Sequence, residues 1–319
     1  MPMKKPWKGR HLVHLLDYRS HEIHEILELG SKLKAQQKRG EEHRYLSGKT
    51  LAMIFEKPST RTRLSFEVGM EQLGGKAIFL SARDLQIGRG EPVKDTARVL
   101  SRYVDGIMIR AYYQKEVEEL AHYASVPVIN GLTDRFHPCQ ALADLLTVHE
   151  QFDGLGGHIK IAYLGDGNNV AHSLMIAGSK TGVKVHVAHP PGYAPEEEIV
   201  SRSCEEALLT GAEIKVTEDP VEAVKDAHVL YTDVWASMGQ EEEQEERLNV
   251  FQNYRLERQM AEQAHPEAVV MHCLPAHRGE EITDEVIEAA NSVVFDQAEN
   301  RLHAQKALMT LLIEGTQRD

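Results

Sequence analysis

The 319-residue sequence is poor in cysteine, in net positive charge and in long apolar runs. Its three cysteines, Cys139, Cys204 and Cys273, are widely spaced and odd in number, which excludes a disulfide framework and favours a reducing cytoplasm. The net charge of -13 argues against nucleic acid or an anionic membrane as the main partner. No apolar run approaches the roughly 20 residues that a membrane-spanning helix needs. The composition therefore predicts a soluble globular protein that is long enough for two domains.

The sequence gives little support for a metal site, although it contains 17 histidines. Two pairs, His11 with His14 and His21 with His24, have the i, i+3 spacing of one helical face. No cysteine or carboxylate set of matching spacing accompanies them. We therefore predict polar histidines on amphipathic helices and no metal site.

Strand-like and helix-like segments alternate along the chain, which predicts an α/β fold with two doubly wound parallel-sheet domains. The strands predicted for the first half are Thr50–Phe55, Lys76–Leu80, Gly106–Arg110 and Pro127–Asn130. Those predicted for the second half are Ile159–Leu164, Lys184–Ala188, Glu213–Val216, Ala227–Thr232, Ala268–Cys273 and Ser292–Phe295. The glycines of 154–157 indicate a boundary between domains 1–150 and 151–299. A last helix, Ala304–Ile313, is predicted within a C-terminal segment, 300–319, that packs back on the first domain.

The polar turn after the first predicted strand is the most informative segment of the chain. Ser59 is a natural N-cap for the helix that follows, and Arg61 and Arg63 place two guanidinium groups at the same point. The free N–H groups and the positive end of a helix suit a phosphate or another compact dianion. The alternative is an ordinary capped surface helix whose arginines face water. The glycine-rich pattern of a P-loop is absent.

Reactive side chains recur where the predicted strands end. In open parallel sheets, ligands bind beyond the carboxyl ends of the strands. The residues at those ends are Arg110, His137 to Gln140, Gly165 to Asn169, Asp233 and Cys273 to Pro275. Each alone has a structural explanation, such as a helix cap, an ion pair or an inert buried thiol. Because they share one topological edge, we expect an anion on the first domain and a polar substrate on the second, in a cleft between the domains.

A dinucleotide site is the main alternative for the turn after the fifth predicted strand. Gly165 and Gly167 match the first two glycines of that fingerprint, but Val170 occupies the position of the third. The next strand also does not end in the acidic residue that would bind a ribose. The sequence therefore favours a tight turn that presents Asn168 and Asn169.

Five segments together resemble motifs of the aspartate/ornithine carbamoyltransferase family over nearly the whole chain. They are Ser59-Thr60-Arg61-Thr62-Arg63, His137-Pro138-Cys139-Gln140, Asp233 to Gly239, His272 to Gly279, and Glu299-Asn300-Arg301. The first two resemble the carbamoyl-phosphate motifs shared across the family, and the Ser-Met-Gly and His-Cys-Leu-Pro motifs resemble the ornithine branch. The resemblance implies transfer of the carbamoyl group of carbamoyl phosphate to the side-chain amine of ornithine, with no metal or organic cofactor. Transfer to putrescine or N-acetylornithine, or a module that only senses an amino acid or an anion, remain alternatives.

The resemblance also implies roles for individual residues. Carbamoyl phosphate would be bound by Ser59, Thr60, Arg61, Thr62, Gln86, Arg110, His137, Pro138, Cys139, Gln140, Cys273, Leu274 and Arg301. Ornithine would be bound by Asn169, Asp233, Ser237 and Met238. Arg110, His137 and Cys273 would act in catalysis. Because Gln86 would reach the site of a neighbouring subunit, the resemblance implies a homotrimer or a multiple of trimers.

Overall fold

The computed structural model of the protein describes residues 7–86, 90–236 and 244–315. The chain forms two compact units: Met1–Ala143 with Asn300–Asp319, and Asp144–Glu299. The division falls between Ala143 and Asp144, inside a helix, whereas the sequence places a boundary at the glycines after that helix. Among the described residues, no helix has the length and apolar character needed to cross a membrane.

The first unit is built on a four-stranded parallel sheet with the strand order β2-β1-β3-β4. Its strands are β1 Thr50–Phe55, β2 Lys76–Ser81, β3 Gly106–Arg110 and β4 Val128–Leu132. The helices in this part of the chain are α1 Ser20–Lys38, α2 Thr60–Gln72, α3 Val93–Leu100, α4 Gln114–Tyr123 and α5 Pro138–Gln151. The apolar strands β1 and β3 are buried in the middle of the sheet, as is typical of parallel sheets, whereas β2 is a partly exposed edge strand.

The second unit is built on a five-stranded parallel sheet with the strand order β7-β6-β5-β8-β9. Its strands are β5 Lys160–Leu164, β6 Lys184–Ala188, β7 Ile214–Thr217, β8 Val229–Thr232 and β9 Val269–His272. The helices that follow α5 are α6 Asn169–Thr181, α7 Glu197–Thr210, α8 Pro220–Val224, α9 Gln244–Val250, α10 Arg258–Ala261, α11 Asp284–Ile287 and α12 Val294–Met309. A π-helical segment, Thr310–Glu314, continues α12.

The predicted fold class, with two parallel-sheet α/β domains, is confirmed. Every predicted strand but the last is present, with ends displaced by no more than two residues. The strand predicted at Ser292–Phe295 is wrong, because α12 begins at Val294 and only an isolated bridge joins Ser292 to Val270. A short apolar run does not distinguish a strand from the start of a buried helix. The last helix therefore begins well before Ala304, where the sequence placed its start.

Both sheets reverse the direction of their strand order. The reversal lies between β1 and β3 in the first sheet and between β5 and β8 in the second. Beyond the carboxyl ends of the strands, such a reversal leaves a crevice in which ligands commonly bind. The turns after β1 and β5, together with the ends of β3 and β8, are therefore the expected ligand positions of each unit.

Gly167 allows the turn after β5 to pack against neighbouring backbone. A Cβ atom built on Gly167 would lie 2.1 Å from the backbone nitrogen of Pro195 and 2.4 Å from the carbonyl carbon of Ala194. Because neither atom belongs to a flexible side chain, a larger residue would have to displace the main chain. Gly167 thus has a packing role that requires no bound dinucleotide.

We expect Gly167→Ala to lower the free energy of unfolding by about 1–3 kcal/mol, because the added methyl group overpacks against backbone. Gly157→Ala is a matched control, since the nearest atom to its added Cβ would be the carbonyl oxygen of Gly211 at 3.4 Å. Urea unfolding followed by circular dichroism measures both variants. Equal stability of the wild type and Gly167→Ala would contradict the packing role.

Candidate active site

The turn after β1 brings the start of α2 to the carboxyl edge of the first sheet. Ser59 caps the helix, because its Oγ accepts the N–H of Thr62 at 3.2 Å and donates to Thr62 Oγ1 at 3.1 Å. The first N–H groups of an α-helix, here those of Thr60 and Arg61, have no partner within the helix. Together with the positive end of the helix dipole, they make this turn suited to an anion.

Arg110 ends β3 at the level of this turn, since it is paired in register with Phe55, the last residue of β1. A β-bulge lies beside it, where Ile109 pairs with Asn130 but Arg110 pairs with Leu132. Bulges of this kind redirect side chains and are frequent next to active sites. Arg110 is only 8% exposed, so its guanidinium group is buried at the strand-order reversal.

Arg301 of α12 connects the starts of α2 and α5. Its guanidinium group donates to Gln140 Oε1 at 2.7 Å and to Thr62 Oγ1 at 3.3 Å. All three side chains are buried. A hydroxyl, an amide and a guanidinium group are therefore held in fixed positions close to the two helix starts.

His137 immediately precedes α5, and its carbonyl oxygen accepts the N–H of Gln140 at 3.1 Å. The residue is 5% exposed. Burial, and then the positive charges of Arg301 and Arg110, hold the pKa of His137 well below its usual value. The imidazole is therefore neutral at physiological pH and offers one N–H donor and one acceptor nitrogen.

Cys139 lies in the same turn but has a structural environment. Its Sγ donates to the carbonyl oxygen of Asn130 at 3.3 Å. Burial raises the pKa of Cys139 to about 12, so the thiol stays protonated and unreactive. Any contact of Cys139 with a ligand would have to come from its backbone. Pro138, the first residue of α5, has no N–H to offer.

In the second unit, β5, β8 and β9 end at one level. Thr232 pairs with Leu164 on one side and with His272 on the other. The next residues of β8 and β9, Asp233 and Cys273, consequently start side by side at the carboxyl edge. Cys273 Sγ donates to Asp233 Oδ1 at 2.9 Å. A carboxylate and a thiol thus form the centre of this edge.

Asn168 joins this edge to the start of α6. Its Oδ1 accepts the N–H groups of Val170 and Ala171 at 2.9 and 3.2 Å and the hydroxyl of Tyr163 at 3.2 Å. Its Nδ2 donates to Asp233 Oδ2 at 3.2 Å. The cap residue of α6 therefore fixes the second oxygen of the Asp233 carboxylate.

An ion pair holds the backbone at Trp235, which follows β8. Arg247 donates to Asp166 Oδ2 at 2.7 Å and to the carbonyl oxygen of Trp235 at 2.8 Å. Burial raises the pKa of Asp166, and the guanidinium group of Arg247 opposes that rise. The predicted site residues Ser237 and Met238 belong to residues 237–243, which lie outside the described residues.

Leu274 follows Cys273 with an unusual backbone conformation. Its φ of 56° lies in the left-handed region, which residues other than glycine seldom adopt. Its N–H donates to His272 Nδ1 at 2.9 Å. Residues held in such sparsely populated conformations are concentrated at functional sites. The direction of the Leu274 carbonyl is thereby fixed.

Comparisons with known proteins match both units. The model of the aspartate/ornithine carbamoyltransferase carbamoyl-P binding domain matches residues 10–150, and that of the Asp/Orn binding domain matches residues 157–312. The chain belongs to the aspartate/ornithine carbamoyltransferase family. Both domains of the family, the carbamoyl-P binding domain and the Asp/Orn binding domain, are therefore present in this chain.

Individual relatives resemble the chain over almost its full length. An ornithine carbamoyltransferase of Pyrococcus abyssi is 59% identical over 308 residues, which cover 97% of each chain. The solved ornithine carbamoyltransferase of Pyrococcus furiosus has a TM-score of 0.94 at 58% identity and covers 97% of this chain and 99% of that one. The Giardia lamblia ornithine transcarbamoylase, at 33% identity, still has a TM-score of 0.88, covering 97% of this chain and 99% of that one.

The structure brings together some of the predicted site residues within each unit. In the first, Thr62 and Gln140 share the guanidinium group of Arg301, and the charges of Arg301 and Arg110 both act on His137. In the second, Asp233 contacts Cys273, while Asn169 is the first residue of α6. Gln86 is exposed and precedes residues 87–89, which are not described. The ligand-binding roles of all these residues stay predictions.

Two residues around these edges, Tyr163 and Arg247, were missed from the sequence, and Asp166 was noted only as part of the turn after β5. Asp166 and Arg247 are 81 positions apart, so no local pattern could pair them. Asn168 was predicted to be presented by this turn, and its role as the N-cap of α6 also had a signal, because asparagine just before a helix is a preferred cap.

We expect His137 to make the protein less stable as the pH falls. The pKa of His137 is about 6.5 in an unfolded chain and well below that in the folded protein. Between these values only the unfolded chain binds the proton, so unfolding becomes more favourable as the pH falls through this range. Above about pH 6.5 both states are neutral at this residue and the effect is absent.

Urea unfolding of the wild type and His137→Gln at several pH values measures this contribution, because the other buried histidines cancel in the comparison. The stability of the wild type relative to the variant should fall by up to about 1.4 kcal/mol per pH unit below about pH 6.5. A difference that does not change with pH would show that His137 titrates normally in the folded protein.

Proposed function

We propose that the chain is an ornithine carbamoyltransferase, which transfers the carbamoyl group of carbamoyl phosphate to the side-chain amine of L-ornithine to give L-citrulline and phosphate. One observation carries this proposal: each unit gathers polar side chains at the carboxyl edge of its sheet, where the strand order reverses. The set in the first unit is cationic, around Arg110 and Arg301, and the set in the second contains Asp233 and Cys273. Relatives named ornithine carbamoyltransferase support the same reaction.

The start of α2 receives the phosphate group in this proposal. The phosphate gains negative charge as the bond from the carbamoyl carbon to the phosphate oxygen breaks. Ser59, Thr60 and Arg61 offer hydroxyl, N–H and guanidinium donors at the positive end of the helix, and Arg110 adds a second guanidinium group. Charge-assisted donors of this kind bind the departing phosphate more tightly than the reactant, which lowers the barrier.

The carbonyl oxygen of the carbamoyl group also gains charge during attack. Arg110, Thr62 and His137 donate hydrogen bonds to it, and the neutral His137 does so through its single N–H. The loss of one such donor typically costs about 2.7–4 kcal/mol of barrier lowering. Gln140 Oε1 and the carbonyl of Leu274 accept from the carbamoyl amide, and Arg301 holds Thr62 and Gln140 in place.

The second unit binds ornithine and directs its side-chain amine. Asp233 pairs with the α-ammonium group, Asn169 binds the α-carboxylate, and Ser237 and Met238 complete the contacts. The amine attacks in its neutral form, and its nitrogen forms a bond to the carbamoyl carbon as the bond from that carbon to the phosphate oxygen breaks. Phosphate leaves with the electron pair of that bond and takes up the proton that the nitrogen releases. Cys273 orients the amine. Because the nitrogen must touch that carbon, the proposal requires one active site shared by the two substrates.

A related carbamoyltransferase is the alternative, with putrescine or N-acetylornithine as acceptor. Putrescine lacks the carboxylate that Asn169 would bind, and N-acetylornithine lacks the α-ammonium group. Both oxygens of Asp233 are held in defined directions by Cys273 and Asn168. This preset carboxylate favours a substrate with a free α-ammonium group, because an unpaired carboxylate in a closed site is costly.

A phosphate-release assay across four acceptors tests the proposed function. We expect fast release with ornithine and little with putrescine, N-acetylornithine or aspartate. Arg61→Ala should reduce kcat/KM by about 100-fold or more with ornithine, because a charge-assisted contact to the phosphate is lost. Citrulline formation provides the second readout.

Arg39→Ala is the matched control, since Arg39 belongs to the same unit, is exposed and pairs with Glu41. It should leave the rate unchanged. Full activity of Arg61→Ala would refute the phosphate role. Binding of ornithine in calorimetry without any phosphate release would instead favour a sensing module.

We also propose that three copies of the chain assemble, or a multiple of three. The edge strand β2 exposes Ile78 and Phe79, each 37% exposed, and Leu64 of α2 is 52% exposed. The guanidinium group of Arg63 lies 4.0 Å from the Phe79 ring centroid. Exposed apolar side chains on a sheet edge are commonly covered by another chain. Gln86 follows β2 closely, so a partner docked here would come near it.

Sedimentation equilibrium tests the assembly. The wild type should have the mass of three chains or a multiple of three, whereas Phe79→Glu should dissociate because a charge is buried at the contact. Leu208→Glu is the matched control, as Leu208 is 85% exposed on α7 of the other unit. A single-chain mass for the wild type at assay concentrations would rule out an assembly in which Gln86 reaches the site of a neighbouring subunit.

A cytoplasmic location is the last part of the proposed function. Cys139, Cys204 and Cys273 are all free thiols. Burial raises the pKa of Cys139 and of Cys204, which lowers the thiolate fraction of both. Unpaired thiols are typical of reducing compartments.

A further inference from the structure

A buried carboxylate and an imidazole hold the segment that follows β9. Glu281 and His272 are 0% and 1% exposed. Glu281 Oε1 lies 2.9 Å from His272 Nε2, and the same oxygen accepts the backbone N–H of His277 at 2.7 Å. One carboxylate oxygen therefore binds the backbone of His277 directly. Through the imidazole ring of His272, the same oxygen also supports the start of the turn that follows β9.

The hydrogen bonds of His272 determine its tautomer. Nδ1 accepts the N–H of Leu274 at 2.9 Å, so this nitrogen carries no proton. Nε2 then carries the proton and donates a hydrogen bond to Glu281 Oε1. The neighbouring thiol of Cys273 donates to Asp233 instead. His272 is thus a support for the backbone and does not serve as the base of an adjacent Cys–His pair.

The end of β9 is also fixed from the opposite direction. The backbone N–H of His272 donates to Gln297 Oε1 at 2.8 Å. Gln297 Nε2 in turn donates to Asp144 Oδ1 at 2.7 Å and to the hydroxyl oxygen of Tyr231 at 3.1 Å. All of these side chains are buried, and satisfied buried networks are rigid. Glu281 holds the turn that follows β9 at two points, through the ring of His272 and at the backbone of His277.

We propose that Glu281 is a positioning residue for carbamoyl transfer, acting through His272 on the backbone of Cys273 and Leu274. This inference rests on the proposed function. Leu274 has φ of 56°, and a conformation so sparsely populated persists only where neighbouring groups hold it. Removing the carboxylate would leave the Nε2–H of the buried His272 ring without an acceptor and would release the backbone N–H of His277. The turn would relax and move both the Leu274 carbonyl and the Cys273 thiol.

Three variants separate positioning from general stability. Glu281→Met removes the acceptor at similar volume, whereas Glu281→Gln keeps an oxygen that can accept from both His272 and His277. Glu280→Gln changes the adjacent, partly exposed carboxylate and is the matched control. We expect kcat for citrulline formation, per folded molecule, to fall about 100-fold in Glu281→Met, as for a catalytic group displaced by about 1 Å. The other two variants should stay near the wild-type kcat.

Amide hydrogen exchange at Leu274 and His277 provides a readout that does not require turnover. Exchange at both should accelerate in Glu281→Met and stay slow in Glu281→Gln. This readout separates the proposed function from the positioning role of Glu281. If the wild type were inactive but the variants showed the expected exchange pattern, the proposed function would be refuted, while the support of the turn by Glu281 would stand. A folded Glu281→Met with unchanged exchange and unchanged kcat would overturn the positioning role.

His272→Asn keeps the test decisive if Glu281→Met does not fold. An asparagine at this position can still place an acceptor near Leu274 N–H but cannot reach Glu281. We expect the kcat of His272→Asn to lie between that of the wild type and that of His272→Leu, which offers no acceptor to the Leu274 N–H. Equal kcat in wild type, His272→Asn and His272→Leu would overturn the inference.

Discussion

The common level of the strand ends is the constraint on which both candidate sites depend. Thr232 is paired with Leu164 and with His272, so the residues that follow three parallel strands start in one row. A slip of one residue would turn the Asp233 or Cys273 side chain to the opposite face of the sheet. Buried apolar side chains along the strands set this register. The polar chemistry at the edge is therefore a consequence of packing inside the sheet.

In the first unit, buried positive charge determines what the neutral groups can do. Arg110 and Arg301 both lower the pKa of His137, in addition to the larger effect of its burial. A neutral imidazole beside two guanidinium groups donates a hydrogen bond without adding a third like charge to the unit's core. Two residues further along, burial keeps the thiol of Cys139 protonated. Neighbours in one sequence motif thus have different physical roles, which the motif itself does not reveal.

The parts of the fold that follow from local sequence were predicted, and those that depend on distant contacts were not. The bounds of Thr50–Phe55, Gly106–Arg110 and Lys184–Ala188 match the structure, because each is a short, largely buried run between polar turns. The run at Ser292–Phe295 has similar composition but begins a helix, since its pairing with β9 is limited to one bridge. The positions of candidate site residues at strand ends were likewise readable. The support of Leu274 by Glu281 was not, because it requires the path of the turn between them.

The hydrogen bonds of Asp233 bear on its proposed role in selecting the substrate. Oδ1 accepts from the backbone N–H of Val234 at 2.8 Å and from Cys273 Sγ at 2.9 Å, and Oδ2 accepts from Asn168 at 3.2 Å. An ionised carboxylate has about four acceptor positions, so these three bonds orient the group and leave capacity for an ammonium ion. An acylated amine carries no such charge and would leave that capacity unused. In the proposed function, Asp233 would therefore recognise the α-amino group. Cys273, held by the same carboxylate, would be the side chain whose position responds when that ammonium group binds.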